Sequence, residues 1–305
     1  MVLVHRSLVL LCALLASGAV MAQTSSALPV FGLQRLRFEP SGLGSLVVNT
    51  GRTLEPGDVR VSVQAQYEHL PLNFARDWDP GVTTVGLVES KLSGNLTAAV
   101  GVLPWLQLSA QLPYVFGQRG KQYRGLAPPD GRGLDTPWVS MHIAPLRMRN
   151  GAPVNLAVEL TAALPLGREE ILGRDTYALH PSLQLGYQQE HFQAGLELGA
   201  LLRPMHDLSS LTGRSQDVLG NELCLGATVT SRGGNSTATR PELSVLFNLP
   251  LQGGRPGAEV LIGVRKHLVR RLDLYFLGGP GVGTAVNLPS LRFLVGTAFA
   301  TGEAD

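Results

Sequence analysis

The feature that most constrains the fold is a strict alternation of apolar and polar residues that recurs along most of the chain. From Val59 to Tyr67, every odd position is apolar and every even position is polar. Successive side chains of a β-strand point to opposite faces, so this segment has one apolar and one polar face. After the first 22 residues, no segment keeps the 3.6-residue apolar period of a helix for more than two turns. The sequence therefore predicts an all-β protein.

The alternation returns often enough to predict twelve strands. The stretch 154–164 is the clearest, because its even positions are apolar whereas Asn155, Glu159 and Thr161 are polar. A tilted strand of about 9 to 11 residues crosses a bilayer. The predicted strands are residues 59–67, 91–100, 106–112, 139–143, 154–164, 179–187, 192–200, 222–229, 242–249, 258–264, 272–276 and 291–299.

The connections between these strands alternate in length, as in outer-membrane barrels with long outer loops and short periplasmic turns. We therefore expect a closed antiparallel transmembrane β-barrel of about twelve strands, with both ends on the short-turn side. The turn at 231–240 is longer than this pattern predicts. Long, polar connections span residues 70–86, 115–136, 165–178 and 202–218, and tight ones span 101–105, 188–191 and 267–271.

Composition argues against other classes of protein. Charged residues make up 16% of the chain, against roughly 25% in soluble domains. A soluble β-sandwich also alternates along its strands, but its polar faces would mix lysine with glutamate. The chain has only three lysines, so its strand carboxylates face an unusual environment. The formal charge of +2 makes nucleic acid an improbable partner.

Residues 1–22 have the basic start, apolar run and small cleavage residues of a secretory signal peptide. A signal peptide predicts export, and an exported β-barrel is expected in the bacterial outer membrane. We expect residues 23–58 to be an N-terminal periplasmic lead-in segment, 59–299 to be the barrel, and 300–305 to be a periplasmic tail.

The sequence predicts no catalytic, cofactor or metal site. Cys224 is the one cysteine after the signal peptide, so an internal disulfide is excluded. The histidines lack the paired spacing of a metal site, and each is interpreted as a strand or loop residue. They are His69, His142, His180, His191, His206 and His267.

Charged residues of both signs fall on the inward phase of the predicted strands. They either pair into a rigid polar core or line a narrow pore. Pairing is favoured, because a narrow lumen that holds both signs brings them together. The candidate lumen-lining residues are Arg60, Lys91, Glu159, Glu197, Glu222, Glu259, Arg265, Asp273 and Arg292.

Seven short motifs, spread over about residues 33–299, resemble the N-terminal barrel of long OmpA-family outer-membrane proteins of Gram-negative bacteria. In that family a calcium-binding linker and a peptidoglycan-binding domain normally follow; this sequence has neither, so we expect a barrel alone. Two of the motifs also resemble transport barrels linked to aromatic-compound degradation. The motifs are FEPSGLGSLVVNTG at 38–51, YEHLPL at 67–72, QLPY at 111–114, GLDTP at 133–137, GALLRP at 199–204, LGNEL at 219–223 and GGPG at 278–281.

The expected function is that of a non-catalytic barrel with a structural or porin-like role, in contact with outer-membrane lipid and passing small solutes. One alternative is a specific transporter of small apolar compounds, which would need an apolar inner pocket. Leu246, Leu261 and Leu294 lie on the inward phase and are the residues that hint at such a pocket. A soluble periplasmic β-sandwich binding module is the other alternative.

Overall fold

The computed structural model describes residues 28–73, 86–123, 126–173, 177–209, 217–232, 239–269 and 271–302. Twelve antiparallel strands each pair with their sequence neighbours, and the first pairs with the last, so the barrel is closed. The predicted all-β barrel of twelve strands is confirmed. The strands are β1 Val59–Asn73, β2 Gly86–Leu103, β3 Leu106–Arg119, β4 Trp138–Leu146, β5 Asn155–Ala163, β6 Leu179–Gln188, β7 Phe192–Leu201, β8 Glu222–Ser231, β9 Thr239–Pro250, β10 Gly257–Val269, β11 Leu272–Gly283 and β12 Leu291–Ala300.

The two faces of the wall follow the sequence alternation. On β5, Leu160 is exposed whereas Glu159 and Thr161 are buried. The same pattern occurs on β1 and β10, where Val63 and Ile262 are more than half exposed. An apolar outer face combined with a polar inner face is the arrangement of a barrel that spans a membrane. Among the described residues, no helix is long and apolar enough to cross a membrane.

The connections define two rims. The long-loop rim carries the connections 74–85, 120–137, 164–178, 202–221, 251–256 and 284–290, and the short-turn rim carries 104–105, 147–154, 189–191, 232–238 and 270–271. At the long-loop rim, His206–Asp207 pairs with Val218–Leu219 in a small hairpin. Several strands are longer than predicted. Loop and N-terminal residues cover both faces of their ends, so the alternation of apolar and polar residues is lost there. Leu87 and Val88, for example, are consecutive and both fully buried.

Residues 28–58, which we call the plug, run through the inside of the barrel. The plug begins at the long-loop rim, where Leu33 N donates a hydrogen bond to Leu172 O at 2.9 Å. It ends at the short-turn rim, where Thr53 Oγ1 donates to Pro104 O at 3.1 Å. Residues 23–58 were expected to form a periplasmic lead-in segment, and the described part of that range lies in the lumen instead. This segment lies in the lumen because its apolar side chains pack against inward-facing side chains of the wall. The periodicity of the strands gives no information about such packing.

Two wall glycines let the plug backbone approach the strands closely. A Cβ atom on Gly186 of β6 would lie 1.9 Å from Thr50 O, and one on Gly101 of β2 would lie 2.1 Å from Glu55 O. No side chain is tolerated at such a distance, so glycine is required wherever the two backbones touch.

Candidate channel lumen and its plug

The middle of the plug packs on an apolar patch of the inner wall. Leu36, Phe38 and the run 46–48 are buried against Leu261 and Leu294, among others. Leu246 packs at the edge of the same cluster. These three wall leucines suggested an apolar transport pocket, but in the structure the plug covers them.

Polar contacts join the plug to carboxylates on three different strands. Leu46 N donates to Glu242 Oε1 of β9 at 3.0 Å. Asn49 N donates to Glu197 Oε2 of β7 at 3.0 Å, and Asn49 Nδ2 donates to Glu159 Oε2 of β5 at 2.6 Å. Because buried carboxylates need donors, the plug satisfies groups that would otherwise need water.

Arg292 is the centre of a buried charge network on the inner wall. Its Nε and Nη2 atoms donate to the two oxygens of Glu259 at 2.8 and 2.9 Å, and Nη1 donates to Glu68 at 2.5 Å. The side chain of Arg292 is 1% exposed. A buried guanidinium that bridges two carboxylates is fully paired, so these three groups form a rigid part of the wall.

A second network lies nearer the short-turn rim. Arg60 is 3.1 Å from Asp273, which also contacts His267. Arg265 donates to Gly42 O of the plug at 2.5 Å and lies 3.8 Å from Glu242.

The remaining predicted residues pair with groups that strand periodicity did not identify. Lys91 Nζ lies 2.8 Å from Asp135, which is in a loop. Glu222 accepts from Arg203 at 2.7 Å and also pairs with Arg35 of the plug. Asp135 and Arg203 lie within the GLDTP and GALLRP motifs, so those motifs were the signal that could have identified them.

All nine candidate lumen residues lie on the inner face, and the structure brings them together only in part. Eight are buried, and Glu197 is half-buried. Within this set of nine, Arg60 pairs with Asp273 and Arg292 pairs with Glu259.

A cluster of metal-ligand side chains lies where the plug meets β4 and β5. Ligand atoms of Glu39, His142 and Glu159 all lie within 4.8 Å of one another. His142 and Glu159 are directly opposite each other on adjacent strands, and Glu39 comes from the plug. Burial, reinforced by the nearby Glu159 carboxylate, raises the pKa of Glu39 from its usual 4.5 to about 7.

A cavity of about 900 Å³ lies at the short-turn rim, and we call it the vestibule. Part of its wall is formed by plug residues 41–44 and 52–55. Among the described residues, its lining holds seven arginines and four carboxylates, so positive charge predominates there. The arginines are Arg52, Arg60, Arg147, Arg149, Arg232, Arg240 and Arg265, and the carboxylates are Glu55, Asp58, Glu190 and Glu242.

Comparison with solved structures identifies the fold. An outer-membrane channel from Pseudomonas putida F1 aligns over 82% of this chain and 97% of its own, with a TM-score of 0.58 and 14% identity. The NanC porin aligns over 78% of this chain and 98% of its own, with a TM-score of 0.52 and 10% identity. No protein-family model matches the sequence, and a search of curated proteins finds no match. The chain therefore has the fold of outer-membrane β-barrels.

Proposed function

We propose that the protein is a porin-like, non-catalytic channel of the outer membrane that passes small solutes and is closed by its own plug. The two barrels of similar fold are described as a channel and a porin, which agrees with this proposal. The plug contacts the barrel through apolar packing, ion pairs and scattered hydrogen bonds, and it has no strand of its own among the described residues. These contacts can break while the hydrogen bonds between the barrel strands remain intact.

A patch of unpartnered polar groups on the inner face of β1, β2 and β3 carries this proposal. Both amide atoms of Gln66 and of Gln118 are buried and have no hydrogen-bond partner in the described part of the chain. The same holds for Ser93 Oγ and Asn95 Nδ2. Gln66 is opposite Ser93 in the β1–β2 pair, so the groups form a continuous surface.

Leaving a buried polar group unpaired costs about 1 to 3 kcal/mol, and a purely structural core would not accumulate several of them. Water satisfies such groups in an aqueous lumen. The β1–β3 side of the barrel therefore supports a route that becomes hydrated when the plug is displaced.

The vestibule favours anionic solutes. Unpaired glutamates along a water-filled path would attract cations, but Glu222 and Glu259 are each paired with arginine. At the vestibule, arginines outnumber carboxylates by seven to four. A mouth lined by excess positive charge attracts anions and repels cations.

A reversible disulfide between plug and wall tests the proposal. Ser45 Oγ of the plug lies 3.4 Å from Ser244 Oγ of β9, so cysteines at these positions would bring their sulfur atoms near each other. We expect Ser45→Cys/Ser244→Cys, in a Cys224→Ser background, to show near-background conductance in planar bilayers when oxidised. Reduction should release the plug and raise the conductance, with a reversal potential that shows anion preference.

The Ser45→Cys single variant is the control, because it cannot be crosslinked within the barrel and should not respond to reductant. Equal conductance of the oxidised and reduced double variant would contradict gating by the plug. A cation-preferring conductance would contradict only the proposed solute charge.

The finer assignments are proposals of the same kind. We propose that residues 1–22 are removed as a signal peptide, that residues 300–305 form a periplasmic tail, and that the barrel is related to the OmpA-family barrels it resembles. Residues 1–27 and 303–305 lie outside the described residues. The intact mass of the purified protein tests the first assignment, because removal predicts a chain that begins at Gln23.

A further inference from the structure

The cluster of Glu39, His142 and Glu159 is a set of metal ligands contributed by three distant parts of the sequence. We propose that these residues bind a divalent transition-metal ion such as Zn²⁺, which ties the plug to the barrel wall. This inference concerns a binding site and does not depend on which solute the barrel conducts.

The geometry is close to that of a zinc site. The three ligand atoms lie within 4.8 Å of one another. Ligand atoms about 2.1 Å from a tetrahedral zinc ion lie about 3.4 Å apart, so binding requires an inward movement of about 1 Å. Rotation of the Glu39 side chain, which comes from an irregular segment, can provide much of it.

The polar atoms of the cluster that lack partners point to a missing ligand. His142 is 1% exposed, and neither ring nitrogen has a hydrogen-bond partner within the described ranges. Its Nδ1 atom lies 3.7 Å from Glu159 Oε2, which is too long for a hydrogen bond. Glu39 Oε2 is likewise buried and without a partner there. A bound cation would take one ring nitrogen of His142 and Glu39 Oε2 as ligands, so it would satisfy one buried atom of each residue.

The two carboxylates are already oriented by other side chains, as metal ligands usually are. Ser41 N donates to Glu39 Oε1 at 2.9 Å, which leaves Oε2 available. Asn49 Nδ2 and Gln184 Nε2 donate to Glu159 Oε2 at 2.6 and 2.7 Å. Two of these donors, Ser41 and Asn49, belong to the plug, so plug and wall together build the site.

The donor set indicates which ions would bind. One imidazole and two carboxylates are a mixed nitrogen and oxygen set, which suits Zn²⁺ and its transition-metal neighbours better than Mg²⁺ or Ca²⁺. Two buried negative charges are costly without a cation, and a dication compensates both. A cavity of about 80 Å³, lined by both glutamates, offers room for a water molecule as the fourth ligand.

Zinc binding can be measured on the full-length protein in detergent, after removal of any affinity tag and dialysis against a chelator. Calorimetric titration at pH 8 and metal analysis should show one Zn²⁺ per barrel. We expect His142→Ala and Glu39→Gln to weaken binding by at least about tenfold. Excess Mg²⁺ should not displace the Zn²⁺.

His267→Ala is the matched control, because His267 is also a buried inner-face histidine but pairs with Asp273 away from the cluster. It should bind Zn²⁺ like the unmodified protein. Glu39→Gln changes no barrel strand, and heat-modifiable gel mobility verifies folding of each variant. The proposal is overturned if the unmodified protein binds no Zn²⁺, since a proton would then be what neutralises the cluster. Unchanged binding by His142→Ala and Glu39→Gln would overturn it equally.

Discussion

The two faces of the barrel wall are built on the same strands and are stabilised in different ways. The outer face carries exposed apolar side chains such as Leu160 and Ile262, which need only an apolar surrounding. The inner face carries buried polar and charged groups, and its charged groups depend on particular partners. Arg292, for example, contacts both Glu68 and Glu259.

This difference affects how each face responds to substitution. The hydrophobic effect is non-directional, so one apolar residue can replace another on the outer face at little cost. Buried hydrogen bonds and ion pairs are directional, so loss of one inner partner leaves another group unsatisfied. The inner face should therefore be sensitive to changes that the outer face tolerates.

The largest effect is expected from Arg292→Ala. Removal of this guanidinium leaves Glu68 and Glu259 buried and unpaired, which should lower the free energy of unfolding by about 3 to 5 kcal/mol. Urea unfolding in lipid vesicles, followed by tryptophan fluorescence, measures this loss. Arg265→Ala should cost less, because Arg265 lies 3.8 Å from its carboxylate partner Glu242 and its close contact is with a neutral carbonyl, Gly42 O. If Arg292→Ala and Arg265→Ala lowered the free energy of unfolding equally, the distance between paired charges would not determine how much each inner-face pair stabilises the barrel.

The next largest effect is expected from Leu160→Arg on the outer face. A charge near the middle of a lipid-facing strand should cost about 2 to 4 kcal/mol. The same unfolding assay measures it, and Leu160→Phe should remain within about 1 kcal/mol of the unmodified protein. If Leu160→Phe lowered the free energy of unfolding as much as Leu160→Arg, the outer face would depend on specific contacts. The proposed difference between the two faces would then be wrong.

A smaller effect is expected where plug and wall touch. Gly186→Ala places a Cβ atom 1.9 Å from Thr50 O, so the plug must shift at a cost of about 1 to 3 kcal/mol. Faster modification of a cysteine introduced at Ser45 would report the loosened plug. Gly117→Ala is the matched control, because a Cβ atom there has no neighbour within 4 Å. Equal reactivity in both variants would show that the plug does not depend on this contact.

Much of the fold could be predicted from the sequence, because the alternation of side chains is a local property of each strand. All twelve strands and their inward and outward phases followed from it, including the exposed Leu160 and the buried Thr161. The nine charged residues were placed on the inner face by the same argument. The strand ends were predicted less well, since loop and plug residues cover residues such as Leu87 and Val88 on both faces.

The candidate site was predicted only in part. Lys91 and Glu222 were identified as inward-facing, but their partners Asp135 and Arg203 lie in loops that have no periodicity. The cluster of Glu39, His142 and Glu159 could not be found by spacing, because its members are separated by 103 and 17 positions in the sequence.

The sequence by itself determined the strands, their count and the chemistry of the two faces, because each depends on neighbouring residues along one strand. Only the tertiary structure decided what fills the lumen. Residues 28–58 have no alternation of their own, and their position depends on long-range packing with Leu261 and Leu294 and on wall glycines such as Gly186. Contacts of this kind join positions that are far apart in the chain, so they exist only in the folded barrel.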